Sequence, residues 1–222
     1  MRAVIVCGAK IKDYEFVSSY FKDDDFFIYC DSGLVHEYRF MSTADTSAEL
    51  IIGDFDSHEM PDRNDVEIIK LPTVKDDTDS VYAVKEAIKR GFDSILMVGV
   101  VGDRLDHGLV NIYSLIYMYE RGVKAVIVDD FSEMRLIGDK NSEVVEQKWA
   151  YFSLVAIAGE AKGVTIKNAK YEVEDVTITP SYQYATSNEP LHNTSSDKVC
   201  DKEVKAEICV KEGYLLLMKD RY

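Results

Sequence analysis

Short apolar segments alternate with amphipathic segments over the first 130 residues. The apolar segments have the length and composition of strands, and they are residues 3–9, 26–33, 49–57, 66–72, 94–100 and 124–130. Nearly unbroken apolar runs that alternate with helices indicate a parallel sheet covered on both faces. The pattern therefore predicts an α/β fold, with a Rossmann-like, mostly parallel sheet and helices on both of its faces.

The amphipathic segments predict four helices, at residues 14–21, 34–41, 78–91 and 106–122. Thr78 is placed to cap the start of the third helix, and Asp106 to cap the start of the fourth. The periodicity predicts that the third helix buries Val81, Val84 and Ile88. It predicts that the fourth buries Leu109, Ile112, Ile116 and Tyr119.

After residue 131 the pattern changes to short β-rich segments separated by Gly, Asn and Pro turns, and no helical period is visible. Such a series is typical of an antiparallel sandwich or small barrel. We therefore predict two domains: an α/β domain at residues 1–131 and an all-β sandwich domain at residues 132–222.

The composition is strongly acidic, with 26 basic against 40 acidic residues and a formal net charge of −14. This balance argues against nucleic acid or an anionic membrane surface as a partner. A phosphorylated substrate stays open, because divalent cations can bridge acidic side chains to phosphate oxygens.

The four cysteines, Cys7, Cys30, Cys200 and Cys209, lack the spacing of a zinc site and lie in apolar runs, which favours reduced core thiols. The apolar run at the amino terminus is too short for a signal peptide or a membrane span. We expect a cytoplasmic protein.

Polar residues follow several predicted strands at the end where a parallel sheet binds ligands. Asp31 ends the second apolar run, and the third ends in GDFDS, residues 53–57. A turn can bring the carboxylates of Asp54 and Asp56 toward one hard cation such as Mg²⁺. The alternative is an ordinary strand-end turn in which the Asp side chains accept hydrogen bonds from nearby backbone N–H groups.

A second acidic motif, KDDTDS at residues 75–80, precedes the clearest helix. One acid at a helix start is ordinary capping, but Asp76, Asp77 and Asp79 are three in four residues. Their repulsion is relieved if some of them bind a cation. The alternative is a solvated, well-capped helix start.

A third motif, GVVGDRLDHGLVN at residues 99–111, combines glycines that permit close backbone approach with an arginine. The planar guanidinium of Arg104 suits a phosphate or carboxylate, although a salt bridge to Asp103 or Asp106 would also satisfy it. The sequence contains no P-loop, no dinucleotide-binding glycine motif and no nucleophile elbow, so His107 is expected to be structural.

Taken together, IIGDFDS, KDDTDS and GDRLDHGLVN, followed by a β-rich tail with ATSNE, resemble the thiamine pyrophosphokinase family. The resemblance covers nearly the whole chain. It implies an α/β catalytic domain that binds ATP and Mg²⁺, followed by a β-sandwich that binds thiamine and pairs two chains as a homodimer. It also implies transfer of pyrophosphate from ATP to the thiamine hydroxyl, which gives thiamine diphosphate and AMP.

The resemblance also implies roles for individual residues. The implied metal ligands are Asp54, Asp56, Asp76 and Asp79. The implied contacts with ATP and its phosphates are Asp31, Asp54, Asp56, Ser57, Arg104, Asp106 and Asn111. The implied catalytic residues are Asp54, Asp76, Asp79 and Arg104, with Asp76 or Asp79 as the base. The implied thiamine contacts are Asp76, Asp79, Tyr171, Ser187 and Asn188, and we expect Ser187 and Asn188 to reach the site across the dimer.

One position departs from the family pattern. Members often have ADGG where this chain has CDSG, so Ser32 replaces a glycine that permits close backbone approach. Three other functions compete with the one implied. They are a phosphatase with a D-x-D nucleophile, a pyrophosphokinase for another hydroxymethyl heterocycle such as a pterin, and a nucleotide-sensing module without catalysis.

Overall fold

The computed structural model describes residues 1–42, 46–56, 60–102, 104–192 and 204–222. The chain divides into two compact units, Met1–Asp130 and Phe131–Tyr222.

The described residues of the first unit form six strands that pair in the order β4-β3-β2-β1-β5-β6, and every neighbouring pair is parallel. The strands are β1 (Arg2–Val6), β2 (Phe26–Cys30), β3 (Leu50–Gly53), β4 (Glu67–Lys70), β5 (Ser94–Val98) and β6 (Lys124–Val128). The strand order reverses between β1 and β5, which is the switch point where open parallel sheets bind their ligands.

The helices of this unit are α1 (Tyr14–Ser18), a 3-10 helix (Asp31–His36), α2 (Glu37–Phe40), α3 (Asp79–Lys89) and α4 (Leu105–Tyr119). Thr78 caps α3 as predicted, because its hydroxyl oxygen accepts from the N–H of Val81 at 3.4 Å. Among the described residues, no helix has both the length and the apolar character needed to cross a bilayer.

The core of the first unit is built from strand residues that the sequence shows as unbroken apolar runs. All four residues of β3 are buried, and so are the last four residues of β1, β2 and β5. Full burial of one large apolar side chain contributes about 1.5–3 kcal/mol, so these central strands dominate the stability of the sheet. They hold the loops at their carboxyl ends in place.

The buried faces of the long helices differ from the predicted ones. Leu109 of α4 is 45% exposed, and the helix instead buries Gly108, Asn111, Ser114, Leu115 and Met118. Apolar side chains surround most of α4, with Val110 and Tyr113 also exposed, so periodicity alone cannot select the inner face. Helix α3 buries Ala83, Val84 and Ala87 and leaves Val81 and Ile88 half-buried.

The described strands of the second unit all pair antiparallel with one another, which confirms the predicted β domain. Three of them pair in the order β7-β13-β9, with β7 at Ser132–Gly138, β13 at Tyr214–Asp220 and β9 at Tyr151–Val155. Four others form a sheet in the order β11-β10-β12-β8, with β11 at Val173–Ile178, β10 at Ala161–Lys167, β12 at Ala206–Cys209 and β8 at Ser142–Val145.

The cysteines follow the prediction only in part. Cys7 and Cys30 are free, buried thiols, but Cys209 is exposed because β12 alternates buried and exposed residues and Cys209 falls on the outer side. Cys200 lies outside the described residues.

Candidate active site

A cavity of about 640 Å³ opens at the carboxyl edge of the parallel sheet. Its lining comes from the segments that follow β1, β2, β3 and β5 and from the starts of α3 and α4. Cys7–Lys10 contribute one wall and Gly99–Gly102 another, so the cavity lies at the switch point between β1 and β5. This is where a ligand is expected in this type of sheet.

Three carboxylates meet in the cavity. Asp31 begins the 3-10 helix after β2, Asp54 follows the last residue of β3, and Asp79 is the first residue of α3. One carboxylate oxygen from each lies within 4.8 Å of the others. Asp31 is buried and the other two are half-buried, so their mutual repulsion is only partly screened by water.

The backbone beside these acids is strained. Asp31 has a φ of 36° and Phe55 a φ of 57°, both in the left-handed region that side chains other than glycine seldom adopt. Such strain persists where the surrounding structure requires it, and it is common at ligand sites. Asp31 itself lines the cavity, and Phe55 lies between Asp54 and Asp56, which line it as well.

The GDFDS segment forms the strand-end turn that was one of the two interpretations of its sequence. The N–H of Asp56 donates to Oδ1 of Asp54 at 3.3 Å, which is the expected strand-end turn. The other oxygen of Asp54, Oδ2, faces away from that turn and accepts from Lys75 at 2.6 Å. The turn therefore orients Asp54 without using its whole carboxylate.

Lys75 supplies the positive charge closest to the acids. Its Nζ lies 2.6 Å from Oδ2 of Asp54 and 2.8 Å from Oδ1 of Asp79. The hydrogen bond from Lys75 holds the pKa of Asp54 below its ordinary value. Partial burial lowers the pKa of Lys75, but the carboxylates of Asp54 and Asp79 outweigh it and raise that pKa.

The donor set fits a hard divalent cation. Asp31, Asp54 and Asp79 offer carboxylate oxygens, which Mg²⁺ prefers, and the cavity leaves room for phosphate oxygens as further ligands. With Lys75 included, the cluster keeps two net negative charges. These three residues are therefore the ones that would hold the ion.

The remaining acids of the predicted metal site are not members of the three-carboxylate cluster. Asp56 lines the cavity but does not belong to the three-carboxylate cluster, while Asp76 is exposed and is not part of the cavity lining. Asp77 forms an ion pair of 2.6 Å with Lys85. The structure thus brings Asp31, and not Asp76, together with Asp54 and Asp79. Ser57 lies outside the described residues.

Arg104 lines the cavity at its rim and pairs with Asp106, with N–O distances of 2.7 and 3.0 Å. The pair is open to solvent, with side chains 70% and 65% exposed. The predicted capping role of Asp106 is wrong: α4 begins at Leu105, and the guanidinium of Arg104 uses the Asp106 carboxylate instead. An exposed pair of this kind is weak and can exchange its partner for a phosphate.

Asn111 lies in the cavity lining, and both the oxygen and the nitrogen of its amide form hydrogen bonds. Its Oδ1 accepts from the hydroxyl of Ser80 at 2.6 Å, and its Nδ2 donates to the carbonyl of Val100 at 2.8 Å. Ser80 also lies 3.0 Å from the Thr78 hydroxyl. Asn111 therefore holds the start of α3 and the loop after β5 at a set distance from α4.

Ser32 is accommodated by a glycine on the neighbouring strand end. A Cβ at Gly8 would lie 1.9 Å from Oγ of Ser32. The side chain of Ser32 therefore occupies space that is open only because residue 8 is a glycine. Gly99 is also constrained, because it has a φ of 64° and a Cβ there would lie 2.2 Å from the carbonyl oxygen of Cys7. These contacts keep β1, β2 and β5 close at the cavity floor.

The predicted thiamine contacts of the second unit are neighbours of one another. Oδ1 of Asn188 accepts from the N–H groups of Tyr171 and Glu189 at 3.0 and 2.9 Å, and its Nδ2 donates to the carbonyl of Tyr171 at 2.8 Å. Asn188 is buried, whereas Ser187 and Tyr171 are exposed. The amide of Asn188 thus supports the loops that present the other two.

The sequence patterns did not predict that Lys75 lies in the cavity beside the acids. The residue opens the KDDTDS motif, and its spacing of four from Asp79 is the signal that could have paired the two. No local sequence pattern predicts the contact between Lys75 and Asp54, because the two residues follow different strands.

A parallel α/β sheet with a carboxylate cluster at its switch point, followed by an antiparallel β domain, defines a class of two-domain proteins whose site suits a divalent cation and phosphate groups. Residues 17–127 match the family model described as the catalytic domain of thiamin pyrophosphokinase, and residues 141–198 match that of its vitamin B1 binding domain. The chain belongs to the thiamin pyrophosphokinase family.

Individual relatives agree with this assignment. The chain is 28% identical to the thiamine pyrophosphokinase of Bacillus subtilis over 148 residues, which is 64% of this chain and 69% of that one. It is 25% identical to thiamin pyrophosphokinase 1 of Caenorhabditis elegans over 150 residues, 63% of this chain and 61% of the nematode protein.

The fold is shared with solved structures. The crystal structure of the Bacillus subtilis thiamine pyrophosphokinase superposes on this chain with a TM-score of 0.82 at 21% sequence identity. The superposition covers 100% of both chains. The matches confirm the predicted family and, with it, the predicted class of enzyme.

Proposed function

We propose that this chain transfers the pyrophosphoryl group of ATP to the hydroxyl of thiamine, with Mg²⁺ held by Asp31, Asp54 and Asp79. The observation that supports this most directly is the convergence of these carboxylates within 4.8 Å, at the switch point of a chain with both domains of the family. Mg²⁺ bound there would neutralise phosphate charge and polarise the bond that breaks.

The proposed binding site for ATP, the pyrophosphoryl donor, is chosen from the charges in the cavity. Transfer of this type depends mainly on positioning and on neutralising the phosphate oxygens. Arg104 at the cavity rim is proposed to exchange Asp106 for a phosphate oxygen, since its present pair is solvent-exposed. Asp56 and Ser32 line the same cavity and are proposed to border the ATP.

The acceptor step needs a base. The thiamine hydroxyl oxygen attacks the β-phosphorus, the bond from that phosphorus to the α-phosphate oxygen breaks, and AMP leaves. We propose that Asp79 takes the hydroxyl proton, because it lines the cavity while Asp76 is exposed outside it. The acidic cluster would also attract the positively charged thiazolium ring.

Thiamine is proposed to contact Tyr171 and Ser187, with Asn188 holding their loops as described above. Both side chains are exposed and therefore available to a ligand. We further propose that two chains form a homodimer in which Ser187 and Asn188 of one chain serve the site of the other. Sedimentation equilibrium tests this proposal, and a monomer that remains fully active would contradict it.

The decisive assay incubates the purified chain with ATP, Mg²⁺ and thiamine and resolves the nucleotide products. The proposal requires AMP and thiamine diphosphate in equal amounts. ADP as the nucleotide product would indicate transfer of a single phosphate instead.

The same assay separates the competing functions. Phosphate release from phosphate esters without AMP would indicate a D-x-D phosphatase. AMP formation with a hydroxymethylpterin, but not with thiamine, would indicate another acceptor. ATP binding without turnover would indicate a sensing module.

A further inference from the structure

Lys75 lies inside the carboxylate cluster and contacts two of its three members. Its ammonium is 2.6 Å from Asp54 and 2.8 Å from Asp79, and its side chain is only 15% exposed. By comparison, Lys85 forms an ion pair with Asp77 in which the side chains are 43% and 33% exposed. The Lys75 ammonium is therefore a counter-ion of the cluster and not a surface charge.

The position of Lys75 leaves its side chain free to change partners. It lies in the segment between β4 and α3, outside both elements, and α3 begins only at Asp79. A lysine ammonium is a point charge on a flexible four-carbon stem, so it can leave one set of oxygens by bond rotation alone. No movement of the strands or helices is required.

An ammonium and a divalent cation would compete for the same two carboxylates, those of Asp54 and Asp79. Mg²⁺ binds oxygen at about 2.0–2.1 Å, so an ion shared by Asp54 and Asp79 would come close to an ammonium within 3 Å of both. In a half-buried site, like charges at such separations repel strongly. This repulsion favours release of the ammonium when a divalent cation binds.

We propose that Lys75 is an exchangeable internal counter-ion, which balances Asp54 and Asp79 until a divalent cation displaces it and which thereby sets the affinity of the site for that cation. The proposal rests on the metal site of the proposed function. It adds a residue that weakens cation binding and keeps the cluster stable without a cation.

The test measures Mn²⁺ binding by titration calorimetry without nucleotide, for the full chain and the Lys75→Gln variant. We expect the variant to bind Mn²⁺ at least about tenfold more tightly, within the usual range of coupling between two sites. Lys75→Arg keeps the charge and should bind close to wild type.

Two further variants control for net charge and for ion-pair loss. Lys10→Gln removes one positive charge from the same cavity lining, and Lys10 is an exposed residue. Lys85→Gln removes an ion pair of 2.6 Å beside the same motif. Both should bind Mn²⁺ within about twofold to threefold of wild type, because exposed charges are screened by solvent.

A second measurement does not depend on binding heats. In excess EDTA, Lys75→Gln should unfold at a lower temperature than wild type, because the acids then lack their counter-ion. Saturating Mn²⁺ should raise the unfolding temperature of the variant more than that of wild type.

Several results would overturn the proposal. Equal or weaker Mn²⁺ binding by Lys75→Gln would refute it while leaving the metal site intact. An equal gain in Mn²⁺ affinity for Lys10→Gln would also overturn the proposal, because the gain would then be a general effect of net charge. Absence of Mn²⁺ binding by every variant would refute it together with the metal site. None of these readouts uses thiamine or ATP, so failure of the proposed activity is a separate result.

Discussion

The hydroxyl of Ser80 donates a hydrogen bond of 2.6 Å to Oδ1 of Asn111, and both side chains are buried. The bond joins the first turn of α3 to α4, and the amide of Asn111 extends it to the carbonyl of Val100. The wall of the cavity thus depends on a polar network inside the first unit and not on apolar packing alone.

Replacing either residue should therefore loosen the fold. We expect Ser80→Ala and Asn111→Ala each to lower the free energy of unfolding by about 1–3 kcal/mol, because each leaves a buried polar partner unsatisfied. The double variant should lose less than the sum, with a coupling of about 0.5–3 kcal/mol in urea unfolding. Ser181→Ala, which removes an exposed bond of 3.1 Å to Thr179, is the control. Simple additivity would show that the two side chains act independently.

Asp79 should be essential for turnover but not for folding. We expect Asp79→Asn to lower kcat by at least about 100-fold, since the variant loses both a proton acceptor and a cluster oxygen. Asp77→Asn is a matched control from the same motif, because Asp77 only pairs with Lys85. Steady-state AMP formation and circular dichroism are the measurements. Near-normal activity of Asp79→Asn would remove Asp79 from the mechanism, and the same assay on Asp76→Asn would show whether that residue is the base.

Gly8 and Ser32 should behave as a complementary pair. Gly8→Ala places a Cβ 1.9 Å from Oγ of Ser32, so we expect a loss of about 1–3 kcal/mol from overpacking. Adding Ser32→Gly removes the two closest contacts and leaves a backbone carbon at 3.1 Å as the nearest one, so we expect most of the lost stability to return. Thermal unfolding of the single and double variants checks this rescue. If Ser32→Gly does not restore the unfolding temperature of the Gly8→Ala variant, the two residues are not coupled.

Arg90 should stabilise the fold in a pH-dependent way. It bonds Glu86 at 2.9 Å and Glu67 at 2.6 and 3.0 Å, and these bonds from Arg90 hold the pKa of Glu67 below its ordinary value of 4.5. Burial raises the pKa of Glu86, but bonds from Lys89 and Arg90 outweigh it and lower that pKa. Carboxyls with a lowered folded pKa stabilise the protein above their unfolded pKa, and this contribution is lost as the pH falls below it.

We therefore expect Arg90→Met to cost about 1–3 kcal/mol at pH 7 and progressively less as the pH falls below 4.5. Urea midpoints between pH 3 and pH 7 measure the effect. Lys211→Met removes an exposed pair of 2.6 Å with Asp175 and should change stability little at any pH. A cost of Arg90→Met that does not vary with pH would mean that lost packing, not charge, accounts for it.

The predictable part of the site consists of residues whose local pattern carries chemistry. Asp54 and Asp79 stand in acidic motifs at a strand end and a helix start, and both lie in the cavity. Asp76 belongs to the same motif as Asp79 but lies in the segment before α3, where it is exposed and is not part of the cavity lining. Local composition identifies the motif but cannot choose between its members.

The sequence by itself determined the alternation of strands and helices, the change to β structure after residue 131, and the family. These follow from hydrophobic periodicity and short motifs, which are local in the chain. Only the tertiary structure decided that Asp31 joins Asp54 and Asp79, that Lys75 lies between the last two, and that α4 buries Asn111 instead of Leu109. Those outcomes depend on which parallel strands become neighbours and on the backbone angles of the loops at their carboxyl ends, and both are set by contacts between residues far apart in sequence.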